Sequence, residues 1–250
     1  MASSHEISHA TYLLAQRVDL GVEEPLDAFL GPEPSLDKLT EAAVALGQPQ
    51  IMLPLLDALI YDPTGTELER TPARMIVNHD EDGNRVESLH AVPLAQGDGW
   101  SARLHVWSAG QSQLTEDTHN HTADFGSAVL TGAFRDTLYS PAAHGEGEKR
   151  YEYLNDGQRT GPVREVVLMK GPSRIIPAGE AHTMDHRVVH SANVRPDGPG
   201  GISATVVVRR PRKQFGNAYT VGERTGSPPW VEPVDGVAAL KKVRTALENS

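Results

Sequence analysis

The spacing of apolar residues changes near Arg74, and this change limits the fold more than any other feature of the sequence. Before it, Leu36, Leu39, Ala43 and Leu46 recur at intervals of three and four, which is typical of an amphipathic helix. After it, apolar and polar residues alternate over short stretches that are bounded by Gly, Pro, Asn or Asp. The sequence therefore predicts a mainly β sandwich or barrel preceded by helices.

The individual elements follow from the same patterns. Residues 1 to about 62 are predicted to be helical, with Ser35 capping a helix that ends at Gly47 and a second short helix over 54–60. The turn residues 81–84 predict a hairpin. Further strands are predicted at 101–108, 126–138, 163–169, 173–176 and 202–209, an exposed hairpin or loop at 141–161, and a surface helix at 234–247.

These elements are most simply arranged as one domain, because 250 residues suffice for one large core and no internal repeat is evident. We expect a helical N-terminal segment (1–70), a barrel (71–215) and a C-terminal extension ending in a helix (216–250). The 23 Gly and 18 Pro supply the turns that many short strands need.

The charge and the absence of cysteine exclude several classes of function. A net charge of −10 argues against nucleic acid or an anionic membrane as partner, so a small molecule is expected. The basic run 208–213 is predicted to be a solvated strand end. Without cysteine, any metal site must use histidine and carboxylate. The first residues lack a signal-peptide pattern, which predicts a cytoplasmic protein.

A pair of histidines, His119 and His121, is the first candidate for chemistry. Alternate residues of a strand point to one face, so both imidazoles could reach one ion. Among 11 histidines in this length, roughly 0.5 such pairs are expected by chance, so the pair alone is weak evidence.

A second motif strengthens the metal hypothesis. Gly171, Pro177, Gly179 and His182 fit the pattern Gly-x5-Pro-x-Gly-x2-His, in which the turn aims the histidine inwards from the next strand. Further histidines follow at positions 186 and 190, and in an extended strand all three would share one face. A third imidazole is thus predicted to join the first two.

Together the two motifs resemble those of the cupin superfamily, over about residues 99 to 210. The resemblance implies a double-stranded β-helical barrel that holds one divalent metal. Within the cupins, the segments 107–111 (Trp-Ser-Ala-Gly-Gln) and 119–132 are similar to the thiol dioxygenases, which oxidise cysteine or mercaptopropionate. That likeness implies His119, His121 and His182 as iron ligands.

The ligand set has alternatives. Phe125 and Gly126 stand where most cupins have a glutamate, which favours a site of three histidines, with Asp124 as the alternative carboxylate. The run that begins at His186, His-Arg-Val, also resembles the run around the third ligand of cysteine dioxygenase. His186 is therefore the alternative to His182. Otherwise His186 or His190 is predicted to lie near the metal as a hydrogen-bond donor or proton shuttle.

Departures from the thiol dioxygenase pattern bear on the substrate. Ser203 matches the first member of the family's Ser-His-Tyr trio, but Thr205 and Val207 stand where the other two belong. Ala91 stands where cysteine dioxygenase has the arginine that anchors the substrate carboxylate. Cysteine is therefore not the expected substrate, and Arg103 is the predicted partner of a substrate anion.

The leading hypothesis is an Fe(II) cupin dioxygenase that brings dioxygen and a small thiol-like or chelating acid side by side on the metal. Two alternatives remain open. The first is a lyase, isomerase or hydrolase that uses Zn, Ni or Mn as a Lewis acid, and the second is a non-catalytic cupin that binds a ligand. A homodimer is also left open.

Overall fold

A computed structural model of the chain describes residues 23–61, 67–79, 85–108, 118–142, 146–154, 163–213, 216–220 and 230–249. The helix predictions for residues 1–22 and the turn predicted at 81–84 lie outside these ranges. The helices are α1 (Glu23–Leu30), α2 (Leu36–Leu46), α3 (Pro49–Tyr61), α4 (Glu67–Arg70) and α5 (Gly236–Glu248). The strands are β1 (Ala73–His79), β2 (Arg85–Gly97), β3 (Trp100–Ser108), β4 (Thr118–His119), β5 (Phe125–Thr131), β6 (Ala133–Pro141), β7 (Glu148–Leu154), β8 (Arg164–Pro177), β9 (Ala181–Met184), β10 (Val189–Arg195), β11 (Ile202–Arg209), β12 (Asn217–Thr220) and β13 (Trp230–Val234).

The strands form two antiparallel sheets. Sheet A has the order β13-β1-β2-β3-β11-β5-β9, and sheet B closes on itself in the order β10-β4-β12-β7-β8-β6. The chain passes from sheet A to sheet B at Gly132, whose φ of 71° lies in the left-handed region that favours glycine. This passage divides the single strand predicted at 126–138 into β5 and β6.

The helices cover one face of sheet A. Alternate residues of β3 and β11 pack with α1, α2, α3 and α5 in one large apolar core, namely Ala102, Leu104, Val106, Ala204, Val206 and Val208. Because side chains alternate along a strand, the intervening residues of β3 and β11 face sheet B instead. A smaller apolar core lies between the sheets, formed by Leu89, Trp107, Val129, Phe134, Ile176, Ala192 and Val194.

The helices begin and end largely where local sequence signals place them. The Oγ of Ser35 accepts a hydrogen bond from the Lys38 N–H at 3.3 Å, and α2 has the predicted bounds. Helix α3 starts at Pro49 and contains Pro54, so it is longer than the predicted helix over 54–60. Asp235 caps α5, which begins two residues after the predicted start.

Two strand predictions differ from the structure. The separate strands predicted at 163–169 and 173–176 are one continuous strand, β8, because its two halves pair with different neighbours, β7 and β6. The segment 141–161, predicted to be an exposed hairpin or loop, contains β7. This strand buries Glu152 and Tyr153 against β12, so it belongs to the barrel wall.

The predicted mainly β fold class is confirmed: the chain forms two antiparallel sheets, one of them closed, with a helical N-terminal segment and a C-terminal helix. Within the described residues, no single helix is long and apolar enough to cross a membrane, although the bent pair α2 and α3 meets that test when taken together.

Candidate metal centre

Three imidazoles converge where β4 meets β10 in sheet B. His119 lies directly opposite His190 across this ladder, and His121 follows two residues later. One ring nitrogen from each of the three side chains lies within 4.8 Å of the others. The Nε2 atoms of His121 and His190 are 2.7 Å apart. Three nitrogens at this spacing can bind one metal ion together.

Asp136 on β6 sets the orientation of His190. The carboxylate is fully buried, and its Oδ1 lies 2.7 Å from the Nδ1 of His190. Burial opposes ionisation of Asp136, but the hydrogen bond and the electrostatic attraction of His190 outweigh burial and lower the pKa of the carboxyl group. An ionised carboxylate can only accept, so Nδ1–H donates and the lone pair of His190 lies on Nε2, the atom that faces His121.

The protonation state of the cluster suits a metal. Burial, with the like charges of His119 and His190, lowers the pKa of His121 well below its ordinary value. His121 is therefore neutral near pH 7, and neutral imidazole is the form that binds metals. Two nitrogens bound to one ion at about 2.1 Å are roughly 3.0–3.4 Å apart, so a shift of a few tenths of an ångström would fit the ring pair to an ion.

Asn120, between His119 and His121, ties their backbone to the barrel wall. Its Oδ1 accepts a hydrogen bond from the backbone N–H of Asn217 at 2.7 Å. The Asn217 side chain donates in turn to the buried carboxylate of Glu152 at 2.7 Å, and the Tyr219 hydroxyl donates to the same oxygen at 3.2 Å. This chain of hydrogen bonds fixes the backbone that carries His119.

His182 lies apart from this cluster, so the structure groups a different third imidazole with the pair than the sequence predicted. It lies on β9 opposite Ser127 in sheet A, between the rings of Phe125 and Phe134, whose centroids are 5.9 and 5.1 Å away. Burial lowers its pKa to about 4, and its Nδ1 has no hydrogen-bond partner among the described residues. The cluster of three is completed by His190 instead.

A turn between β9 and β10 explains the difference. The Val188 N–H donates to the Asp185 carbonyl at 3.0 Å, and the chain passes here from sheet A to sheet B. The shared face expected for His182 and His190 required one extended strand through both positions. Because the turn interrupts that strand, the alternation of side chains does not carry from one histidine to the other.

His186 is held by Asp124 rather than by the cluster. Its Nδ1 and its backbone N–H lie 2.6 and 3.0 Å from the Asp124 Oδ1, while Arg210 and Lys213 bind the other oxygen at 2.9 and 2.8 Å. Burial opposes ionisation, but these hydrogen bonds and charges lower the pKa of Asp124 well below its usual range. The His186 carbonyl accepts from the His121 N–H at 3.3 Å, so this network supports the backbone beside the cluster.

Ser203, a predicted catalytic residue, is occupied by the backbone. Its buried hydroxyl donates to the Arg195 carbonyl and lies 3.5 Å from the Ala133 carbonyl. Gly132 packs so closely that an added Cβ would lie 2.0 Å from the hydroxyl. The structure therefore places Ser203 beside the chain's passage between the sheets.

Arg103, the predicted anion partner, alternates with the helix-facing residues of β3 and so lies on the face toward sheet B. His105 shares this face, and burial together with the charges of Arg103 and Arg209 lowers its pKa to about 3. The basic run 208–213 is thus not simply a solvated strand end. Arg209 is partly buried, and Arg210 and Lys213 pair with Asp124.

Sequence reasoning considered His190 only as a neighbour of the metal and not as a ligand, and it did not consider Asp136 or Arg209 as site residues. A sequence signal for His190 exists, because it lies at the start of a strand with buried residues at alternate positions. The third ligand was nevertheless assigned to His182 because of the motif around that residue. Asp136 carried a weaker signal, a lone carboxylate inside an apolar alternating strand. Such a carboxylate usually needs a buried partner.

No protein-family model matches this chain, and no curated protein matches it. Solved structures with similar chains include FeII HppE, which is 12% identical with a TM-score of 0.32 over 80% of this chain and 97% of that chain. An RmlC-like cupin from Shewanella frigidimarina NCIMB 400 is 13% identical, with a TM-score of 0.30 over 60% of this chain and 92% of that one. A cupin superfamily protein from Desulfitobacterium hafniense DCB-2 is 9% identical, with a TM-score of 0.28 over 51% and 81%. These identities are too low to carry site residues over from those structures to this chain.

Proposed function

We propose that this chain is a metal-dependent oxygenase that holds one divalent ion, Fe(II), through His119, His121 and His190 and acts on a small anionic substrate. The observation that carries the proposal is the convergence of three ring nitrogens within 4.8 Å, with Asp136 holding the His190 lone pair toward the same point. A carboxylate behind a metal-binding histidine is a recurrent feature of metal sites.

The donor set favours an open site. Three neutral imidazoles leave the charge of a divalent ion uncompensated and leave coordination positions for ligands from solution. Iron, when bound, supplies the electron-transfer chemistry that dioxygen requires and that amino-acid side chains lack. The remaining tasks, which are orienting ligands, excluding water and binding the substrate, belong to the chain's own residues.

An apolar wall beside the cluster supports a water-poor pocket. Phe125, Met184 and Val207 pack together, and the Phe125 ring centroid lies 4.6 Å from that of His121. Removing water from such a site strengthens electrostatic interactions within it. The wall restricts access of solvent to the side of His121 that Phe125 covers.

The substrate in our proposal is not cysteine. Ala91 and Thr205 are the neighbours of His105 across β2 and β11, and Val207 belongs to the apolar wall. These are the positions where the resembled thiol dioxygenases have an arginine, a histidine and a tyrosine. A substrate carboxylate left without such partners would lose several kcal/mol of interaction.

Metal analysis of purified variants tests the ligand set. We expect about one transition-metal ion per chain in the wild type, and loss of most of it in His119→Ala, His121→Ala and His190→Ala. His182→Ala is the matched control, because it removes a buried imidazole outside the cluster and should leave the metal content unchanged. Retention of metal by His190→Ala, with loss in His182→Ala, would return the third ligand to the position that the sequence motif favours.

Oxygen uptake tests the reaction class. Protein reconstituted with Fe(II) under anaerobic conditions should consume dioxygen with at least one small anionic or thiol compound, and His190→Ala should not. Turnover that is equally supported by Zn, without oxygen uptake, would instead assign the site to Lewis-acid chemistry.

A further inference from the structure

Two arginines lie next to each other on the face of sheet A that is turned toward sheet B. Arg103 on β3 is the ladder partner of Val207, and Arg209 lies two residues further along β11. The two are therefore diagonal neighbours, about 7–8 Å apart and within reach of each other's long side chains. Both side chains are partly buried.

This face also carries the residues that flank the candidate metal centre. Val207, opposite Arg103 and two residues before Arg209, packs against Phe125, whose ring contacts that of His121. His105 shares the strand face with Arg103, and both arginines act on its pKa. The arginine pair and the histidine cluster thus belong to one region between the sheets.

Among the residues that the structure describes, no carboxylate forms an ion pair with Arg103 or Arg209, whereas Arg187 and Arg210 bind aspartates at 2.7 and 2.9 Å. The Nε of Arg209 is buried and has no hydrogen-bond partner in the described part of the chain. This lack is notable in a protein with ten more acidic than basic residues.

Uncompensated charge at this place is unfavourable for the protein alone. Burial, together with the charges of Arg103, Arg212 and Arg74, lowers the pKa of Arg209 to about 10. Partly buried like charges with unpaired donors cost free energy unless an anion joins them. Clusters of this kind are typical of binding sites, and the guanidinium fork matches the oxygens of carboxylate and phosphoryl groups.

We infer that Arg103 and Arg209 form an anion subsite that takes a doubly charged group of the substrate, either one phosphoryl group or two carboxylates. The inference rests on the proposed function, because it names the substrate class of the same site. It differs from the anchor that the thiol dioxygenase resemblance implies, since that position is Ala91 on β2.

The test uses full-length protein stripped of metal with a chelator, so that anion binding is measured apart from the metal. Inorganic phosphate and malonate are titrated at constant ionic strength by calorimetry and by thermal unfolding. The wild type should bind at least one of them, and the tighter of the two identifies the charged group. Arg103→Met and Arg209→Met should each weaken that affinity about tenfold or more. Arg135→Met, an exposed arginine of β6, is the control and should bind like the wild type.

A second readout excludes misfolding as the cause. Without added anion, Arg103→Met and Arg209→Met should melt no lower than the wild type, because each removes repulsion between partly buried charges. Unchanged affinity in both variants, or no effect of either dianion on the wild type beyond ionic strength, would overturn the inference. Wild-type protein that binds metal but no dianion contradicts the subsite alone. Protein that binds a dianion but no metal contradicts the proposed metal centre alone.

Discussion

Asp136→Asn isolates the contribution of the buried carboxylate to the candidate metal centre. Asn has nearly the same shape, so the exchange removes charge while leaving the fully buried position filled. Its amide oxygen can still accept a hydrogen bond from the His190 Nδ1–H. In the wild type, Nδ1 lies 2.7 Å from the Asp136 Oδ1. If the amide rotates, its NH2 donates to Nδ1 instead and places the proton of His190 on Nε2, the atom that should bind metal.

The expected loss can be worked from these contacts. A hydrogen bond to a charged group contributes about 1.5–3 kcal/mol and a neutral one about 1 kcal/mol, so the lost charge alone costs roughly 1–2 kcal/mol. That cost corresponds to about 5- to 30-fold in metal affinity. The competing tautomer, with its proton on Nε2, increases this loss of metal affinity. Arg174, which lies 3.5 Å from the carboxylate, cannot restore the orientation of His190. We therefore expect a loss toward the upper end of the 10- to 100-fold range for such groups.

A competition titration measures this loss. Zn(II) or Co(II) is titrated into metal-free protein in the presence of a chromophoric chelator, with circular dichroism to verify the fold. Asp57→Asn is the control, since Asp57 pairs with Arg244 of α5 and belongs to neither group of possible metal ligands. An affinity of Asp136→Asn within twofold of the wild type, or an equal loss in the control, would refute the assignment of His190 as a ligand oriented by Asp136.

Three further predictions concern stability. The folded pKa of Asp124 lies below its unfolded value of 3.8, so its stabilisation is complete above that pH and is lost as the pH falls below it. Between pH 4 and 2 the free energy of unfolding should therefore fall more steeply in the wild type than in Asp124→Asn. Gly126→Ala should destabilise the protein by about 3 kcal/mol or prevent folding, because the new Cβ would lie 2.2 Å from the backbone of α2. In Gly171→Ala the nearest atom would lie 3.2 Å from the new Cβ, so the cost in denaturant titrations should be under about 1 kcal/mol. Leu240→Ala should cost about 2–5 kcal/mol and the exposed Lys241→Ala under about 0.5 kcal/mol in the same assay, since Leu240 is fully buried between α5 and the barrel.

Local signals were sufficient for the helices and most strands. Helix α2 has the predicted bounds because its cap at Ser35, its apolar spacing and its end at Gly47 are all encoded within thirteen consecutive residues. Strand β11 has the predicted bounds, and β3 begins one residue before its predicted start. The alternation of side chains along β3 places Arg103 on the face toward sheet B, where it was expected to meet a substrate anion.

Features that depend on which sheet a strand joins could not be predicted. The strand-like run from 126 to 138 was predicted as one strand through Gly132, because the sequence does not show that β5 and β6 join different sheets. Similarly, the Pro-x-Gly turn fixes the direction of His182 but not the later passage to sheet B, which brings His190 opposite His119. The ligand set is therefore a long-range property of strand pairing, whereas the motif is a local one.

The basic run at the end of β11 shows how one segment of sequence can serve two sites. The adjacent residues Arg209 and Arg210 have the same charge, so composition cannot distinguish their environments. Side chains of consecutive strand residues, however, point to opposite faces. Arg209 is turned toward the region between the sheets, where its Nε is buried, while Arg210 leaves the strand and binds Asp124 beside His186. Asp124 binds both Arg210 and Lys213 and supports the backbone next to His121, whereas Arg209 and Arg103 have no carboxylate to pair with among the described residues. Two guanidinium groups without a carboxylate partner are therefore left on the barrel side of β11, which is why an incoming anion is expected there.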